Sequence, residues 1–192
     1  ADQSYRTMNN NNSIRIEGDV IRLPKAGKIK IVNTRNFEGR ILSATVTMTS
    51  SGRYYISLQV EEEYEYLPNK GGKLGIDAGL TVLYTDSKNN KIENPGTLSK
   101  HEKRIRRLQR ELSRKKTGSK NREKARIRLA REHEKVADIR NDFQHKMTYR
   151  LASDNQVVCI EDLNVKGMMR NHRLAGSISD ASWSEFFRKL EY

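Results

Sequence analysis

Short apolar and β-branched runs separated by turn residues fill the first third of the chain. They are Ile14 to Ile16, Val20 to Leu23, Lys28 to Ile31, Ile41 to Thr47 and Tyr54 to Val60, punctuated by Gly18, Pro24, Gly27, Gly39 and Gly52. Frequent short strands with tight turns predict a small antiparallel barrel or sandwich. Asn9 to Asn12 reads as a flexible loop. Leu67-Pro68-Asn69-Lys70-Gly71-Gly72 interrupts any ladder and reads as a linker, so two domains are predicted, at 1–70 and 71–192.

Beyond the linker the pattern changes. Leu74-Gly75-Ile76-Asp77 is an apolar run closed by an acid, followed by strand-like Leu80 to Thr85, a turn at Asp86 to Asn90 and a short strand near Ile92. That is a three-strand meander. From Ser99 the period becomes helical, with Ile105, Leu108 and Leu112 on one stripe. Ser99 and Glu102 have the spacing of a capping box. Thr117-Gly118-Ser119 breaks this helix, and a second one carries Leu129, Val136 and Phe143 at heptad spacing, extended by Met147 and Leu151. The two should form an antiparallel hairpin, about 99–151. Val157 to Ile160 returns to strand, and Ser182 to Tyr192 is predicted helical, with Ser182 and Glu185 as a second capping box.

Charge sharpens this outline. The net charge is +13, and the stretch from Ser99 to Arg150 holds 19 Lys and Arg against 7 Asp and Glu, twelve of those thirteen charges. A positive excess gathered on one hairpin points to a polyanion, because phosphates neutralised by Lys and Arg release condensed counterions. Arg104, Arg107, Arg110, Arg114, Lys115, Lys116, Lys120, Arg122 and Arg126 are the candidate phosphate contacts, with no base readout assigned to them.

Other residue types narrow the chemistry. Cys159 is the only cysteine, which excludes a disulfide framework and a multi-thiolate zinc site within these residues and fits a reducing cytosol. The four histidines, His101, His133, His145 and His172, have no metal-ligand spacing and read as surface or packing residues. Trp183, Phe186 and Phe187 share one helix face and read as core. No apolar stretch has the length of a membrane span, and the first residues lack the basic-then-apolar pattern of a secretory signal. With no initiator Met and a last residue inside a predicted helix, the chain reads as a fragment.

Two acids stand where a metal site could form. Asp77 closes the first strand of the meander and Glu161 closes the strand after the helical hairpin. If these strands are neighbours in one sheet, both carboxylates reach the same rim, as a hard Mg²⁺ ion requires of ligands from separate elements. Asp162 competes with Glu161, although strand alternation puts it on the opposite face. Asp180, with no motif around it, reads as a loop or cap residue.

Gly75-Ile76-Asp77-Ala78-Gly79-Leu80, the basic stretch Leu108 to Lys116, Arg140 to Lys146, and Ile160-Glu161-Asp162-Leu163-Asn164-Val165-Lys166-Gly167-Met168 together resemble the core of transposon-encoded TnpB (OrfB) proteins, in order and in spacing. The resemblance covers most of the chain from Gly71 onward and, more loosely, Ile14 to Val60. It implies an α+β or α/β architecture: a wedge-like β-barrel followed by an incomplete RNase H-like (RuvC) domain with an inserted basic hairpin. It also implies an RNA-guided DNA endonuclease related to type V CRISPR nucleases, with DNA and a guide RNA as partners. Its location would be the cytoplasm of a prokaryote, at the nucleoid. Asp77 and Glu161 match the family's first two catalytic acids and would hold Mg²⁺ or Mn²⁺. The family pattern continues into a zinc ribbon and a third catalytic Asp that this sequence does not include.

Two rival readings follow from the same residues. Gly75 to Thr81 also resembles the first phosphate loop of the actin, heat-shock chaperone ATPase and sugar kinase superfamily, but the second phosphate loop and the Gly-rich adenosine site are missing. The other rival is a catalytically inactive nucleic-acid-binding remnant.

Overall fold

A computed structural model describes residues 3–33, 36–63 and 71–191. The chain divides into two compact units, Ala1–Tyr66 and Leu67–Tyr192. The linker residues 67–70, and Tyr192 of the last predicted helix, lie outside the described residues.

The first unit holds two three-stranded antiparallel sheets, ordered β1-β5-β6 and β2-β3-β4. Their strands are β1 (Gln3–Met8), β2 (Arg15–Glu17), β3 (Val20–Leu23), β4 (Gly27–Lys30), β5 (Arg40–Met48) and β6 (Tyr54–Glu61). Five of these coincide with the predicted runs. The sixth, β1, has a polar sequence and is held by its ladder to β5, Gln3 opposite Met48 through Met8 opposite Ser43.

The barrel expectation is corrected: among the described residues the two sheets stay separate. Strands of three or four residues in β2, β3 and β4 are too short to carry a ladder around to closure. Instead the sheets share one core, with Ile14, Ile21, Leu23 and Ala44 buried and Ile41, Val46, Ile56 and Leu58 packed against them. Asn9 to Asn12 is likewise not a loose loop. Asn10–Asn12 forms a 3-10 turn, and the Asn9 side chain donates to the Ile41 carbonyl and accepts from the Ile14 N–H, both at 2.7 Å.

The second unit is a mixed four-stranded sheet with helices. Its strands are β7 (Lys73–Ala78), β8 (Val82–Asp86), β9 (Lys91–Glu93) and β10 (Val157–Ile160), and its helices are α1 (Thr97–Ser113), α2 (Lys120–Asp154), α3 (Val165–Met168), α4 (Ala175–Ala181) and α5 (Trp183–Glu191). The sheet order is β10-β7-β8-β9. β7, β8 and β9 form the antiparallel meander, and β10 joins β7 in parallel after the helical excursion. The core gathers Leu74, Ile76, Leu83 and Tyr84 from the sheet, Leu151 from α2, Ile178 and Ala181 from α4, and Trp183 and Phe186 from α5. Phe186 stacks on Tyr84, ring centres 5.8 Å apart.

The helical hairpin follows the sequence except at its caps. Ser119 caps α2, its hydroxyl accepting the Arg122 N–H at 3.1 Å. Ser99 does not cap α1. The helix starts at Thr97 behind left-handed Gly96, so Ser99 lies inside the first turn, where its N–H is taken by Asp180, and Glu102 pairs with Arg106 instead. The Ser182–Glu185 box is also corrected. Ser182 adopts φ 52°, ψ 45°, left-handed rather than the extended backbone of an N-cap, and forms the joint between α4 and α5. No helix among the described residues is long and apolar enough to cross a membrane.

Candidate functional site

The parallel ladder between β7 and β10 decides where the two acids fall. Val158 pairs with Leu74 and Ile160 with Ile76. Leu74 and Ile76 are buried in the core, so alternation turns Gly75 and Asp77 to the other face. Glu161 follows Ile160 as Asp77 follows Ile76, and the two acids therefore stand side by side at the same strand ends. They line one open hollow of about 550 Å³ with Gly75, Thr85, Ser87 and Cys159. Asp162 lies outside it.

The floor of this hollow is braced by backbone. Gly75 N–H donates to the Ser87 hydroxyl at 3.2 Å, and Ser87 N–H donates to the Gly75 carbonyl at 2.9 Å. Thr85 stands opposite Asp77 in the β7–β8 ladder. Asp86, a third acid along the wall, is committed to its turn: it accepts from Lys88 N–H, Asn90 N–H and the Asn90 side-chain amide, which holds its carboxyl below the ordinary value. By contrast, the carboxylates of Asp77 and Glu161 are exposed and make no hydrogen bond or ion pair among the described residues.

Two unpaired carboxylates from neighbouring strands are the oxygen donors a hard divalent cation takes, with coordination positions left open for phosphate and water. Among the described residues, no group of three His, Cys, Asp or Glu comes together around such an ion. Asp180 is not available as a third acid, since both of its oxygens cap α1.

The basic hairpin sorts the nine predicted phosphate-contact residues into two sets. Arg104 is bound through Nε to buried Glu132 at 2.8 Å, Arg122 donates to the Leu112 and Lys115 carbonyls, and Arg126 grips Glu123 with two nitrogens. Arg107, Arg110, Arg114, Lys115, Lys116 and Lys120 are exposed, and no side-chain ion pair engages them among the described residues. Glu132 also takes His101 Nδ1 at 2.7 Å, so a charged cluster sits in the seam between α1 and α2, where heptad reading placed apolar residues. Neither Glu132 nor His101 carried a signal in the sequence, because a helical stripe does not reveal which charged position faces a partner helix.

Residues 55–172 match the OrfB_IS605 family, described as "Probable transposase". A protein of Streptomyces pristinaespiralis named "Putative RNA-guided DNA endonuclease" is 43% identical over 150 residues, covering 78% of this chain and 37% of that protein. InsQ of Escherichia coli K12, with the same description, is 35% identical over 192 residues, covering 92% of this chain and 48% of InsQ. A Mycobacterium tuberculosis relative, Rv2885c, is 30% identical over 205 residues, covering 94% and 44%. The chain thus spans less than half the length of these relatives. The match over residues 55–172, more than half of the chain, makes it a member of the OrfB_IS605 transposase family.

Proposed function

We propose that this chain is the part of an RNA-guided DNA endonuclease that carries two of the metal-binding acids and a basic surface for nucleic acid. The single observation that carries the reading is that Asp77 and Glu161, each one residue past the last pair of the parallel β7–β10 ladder, line one hollow with exposed carboxylates. Its relatives' names supply the reaction class and the partners, DNA and a guide RNA. The four-strand order, an antiparallel meander with a parallel strand added beside its first member, supports an RNase H-like (RuvC) assignment for the second unit.

Asp77 and Glu161 would hold Mg²⁺ or Mn²⁺, which supplies charge neutralisation at the scissile phosphate and a more acidic water nucleophile. The chain's own residues set the rest. Gly75 and Ser87 fix the β7 backbone behind Asp77, and the strand pairing fixes Glu161 relative to it. The exposed cations at the tip of the hairpin hold phosphates without reading bases.

The test uses the longer parent protein with its guide RNA. Divalent-metal-dependent DNA cutting should be lost in Asp77→Ala and in Glu161→Ala, and Mn²⁺ should broaden NMR signals of Gly75, Thr85 and Cys159 in this chain but not in the double variant. Undiminished cutting by both variants would remove the site assignment. A second reading is favoured by one observation: among the described residues no three acids come together around an ion, because Asp86 at the hollow is committed to its turn. On that reading these residues alone bind nucleic acid without cutting it.

A further inference from the structure

Thr85 stands directly opposite Asp77 in the antiparallel β7–β8 ladder. The bonds to either side tell which kind of pair this is. Ser87 N–H donates to the Gly75 carbonyl at 2.9 Å and Gly79 N–H donates to the Leu83 carbonyl at 3.2 Å, so Gly75 with Ser87 and Gly79 with Leu83 are bonded pairs. Bonded and open pairs alternate along an antiparallel ladder, which makes Asp77 with Thr85, two residues from each, a bonded pair as well. Their Cα atoms are then ~5.5 Å apart, and both side chains leave the same face of the sheet. That face is not the core face. Tyr84 is buried in the core, and Thr85, next along the strand, turns to the hollow that Asp77 lines.

The lining of the hollow offers few groups that can steady a carboxylate. It contains no Lys or Arg. Asp86 is taken by its turn, and the Ser87 hydroxyl oxygen by the Gly75 N–H. Thr85 carries the other hydroxyl of the lining, half-buried and without a hydrogen bond among the described residues. A cation that takes one oxygen of Asp77 leaves the second facing its surroundings, and carboxylates that ligate metals are themselves hydrogen-bonded. A β-branched side chain has few rotamers, so it brings a hydroxyl to a defined place more sharply than water does.

We infer that Thr85 is a positioning residue for the paired acids: when a divalent cation is held, its hydroxyl donates to the Asp77 oxygen that the cation does not take. The inference rests on the metal-binding role proposed above for Asp77 and Glu161. Thr85 acts through Asp77 and not on the cation. No hydrogen bond joins the two side chains in the structure, so its formation on ligation is the event to measure.

The experiment titrates the whole 192-residue chain with Mn²⁺, followed by broadening of the Gly75 and Cys159 NMR signals, and with Mg²⁺, followed by the Hα–Hβ couplings of Asp77. Thr85→Val keeps a branched strand former but no hydroxyl, and should weaken Mn²⁺ binding ~10-fold, the lower end of what losing the partner of a metal ligand costs. Thr85→Ser should restore the affinity, and Thr85→Ala should match Thr85→Val. Saturating Mg²⁺ should drive the Asp77 couplings apart, the mark of a single χ1 rotamer, in the unsubstituted chain and in Thr85→Ser but not in Thr85→Val. In the longer parent with its guide RNA, Thr85→Val should need ~10-fold more Mg²⁺ for half-maximal cutting. Equal Mn²⁺ affinity in Thr85→Val and the unsubstituted chain, with broadening lost in Asp77→Ala, overturns the inference and leaves the paired acids in place. Thr85→Ser binding no better than Thr85→Ala also overturns it, because packing and not the hydroxyl is then at work. So do Asp77 couplings that respond to Mg²⁺ alike in every variant. Broadening that survives in the Asp77→Ala, Glu161→Ala double variant removes the metal-site reading itself, and this inference with it.

Discussion

The carboxylate of Asp180 accepts the backbone N–H of Leu98 at 2.8 Å, reaching from the end of α4 into the first turn of α1, and its second oxygen takes the Ser99 N–H at 3.1 Å. The first N–H groups of a helix have no partner within the helix, and an acid placed there satisfies them and complements the helix dipole. Asp180 is buried, so no water replaces it easily. Asp180→Ala should therefore lower stability by about 1–2 kcal/mol, within the range for loss of a helix cap. Asp180→Asn should cost less, because its amide oxygen still accepts one of the two bonds. Urea unfolding followed by circular dichroism checks both, and an unchanged midpoint in Asp180→Ala would show that the cap contributes nothing.

Trp183 is almost wholly buried, yet its indole N–H has no acceptor among the described residues. Its contribution is thus packing volume, set against an unsatisfied donor. Trp183→Ala should cost about 3–5 kcal/mol, as large cavities do, whereas Trp183→Phe should cost under about 1.5 kcal/mol because it removes the unpaired donor while keeping a ring. Thermal unfolding of the two variants separates them. Equal destabilisation would mean that the N–H is satisfied in solution.

The parts of this architecture that could be read from sequence are those where local pattern and tertiary role agree. Leu74-Gly75-Ile76-Asp77 and Val158-Cys159-Ile160-Glu161 each bury alternate side chains and end in an exposed acid, so the strands and their acids were visible together. Ile105 and Leu108 sit buried on the stripe their spacing predicted. What stayed hidden depends on partners distant in sequence. Asp180 replaces a local cap from 82 residues away. β1 is a strand only because β5 offers it a ladder, and Ser182 is left-handed because α4 and α5 must both press on the same core. Tyr54 looked like one more strand residue, and only the placement of the second sheet makes its ring the wall of a cleft.

A pH dependence is built into α5. Arg188 grips the Glu185 carboxylate with Nε at 2.9 Å and a second nitrogen at 2.7 Å, and holds its pKa at about 2 instead of 4.5, with Lys189 adding to the effect. A lowered carboxyl pKa stabilises the fold above the unfolded value, and the contribution fades as pH falls from about 4.5 to about 2. Lys189 has the opposite balance. Its side chain is 5% exposed, and burial pushes its pKa below 10.5 although Glu185, Gln144 and Asn141 accept from it. The unfolded chain therefore holds that proton more tightly, and stability from this group rises with pH in the range just under 10.5. Denaturation midpoints across pH should show a shallower acid limb in Glu185→Gln and a shallower alkaline rise in Lys189→Met. If the acid limb of Glu185→Gln matches that of the unsubstituted chain, the ion pair does not persist in solution.

The division among the hairpin cations makes the last prediction. Arg104, Arg122 and Arg126 spend their nitrogens on Glu132, on the Leu112 and Lys115 carbonyls, and on Glu123, whereas Arg110, Arg114 and Lys115 present exposed side chains near the end of α1. Replacing the second three by Gln should weaken binding to RNA or DNA across all sequences. It should also flatten the plot of log affinity against log salt by about 0.7–0.9 for each phosphate no longer neutralised. Replacing Arg104 and Arg122 by Gln should change the salt slope little and should instead lower the melting temperature, since removing Arg104 leaves part of a buried carboxylate unpaired. Binding titrations at several salt concentrations, with melting curves on the same samples, measure both effects. If both sets flatten the slope equally, the intramolecular partners of Arg104 and Arg122 give way when nucleic acid binds, and the whole hairpin acts as one electrostatic surface.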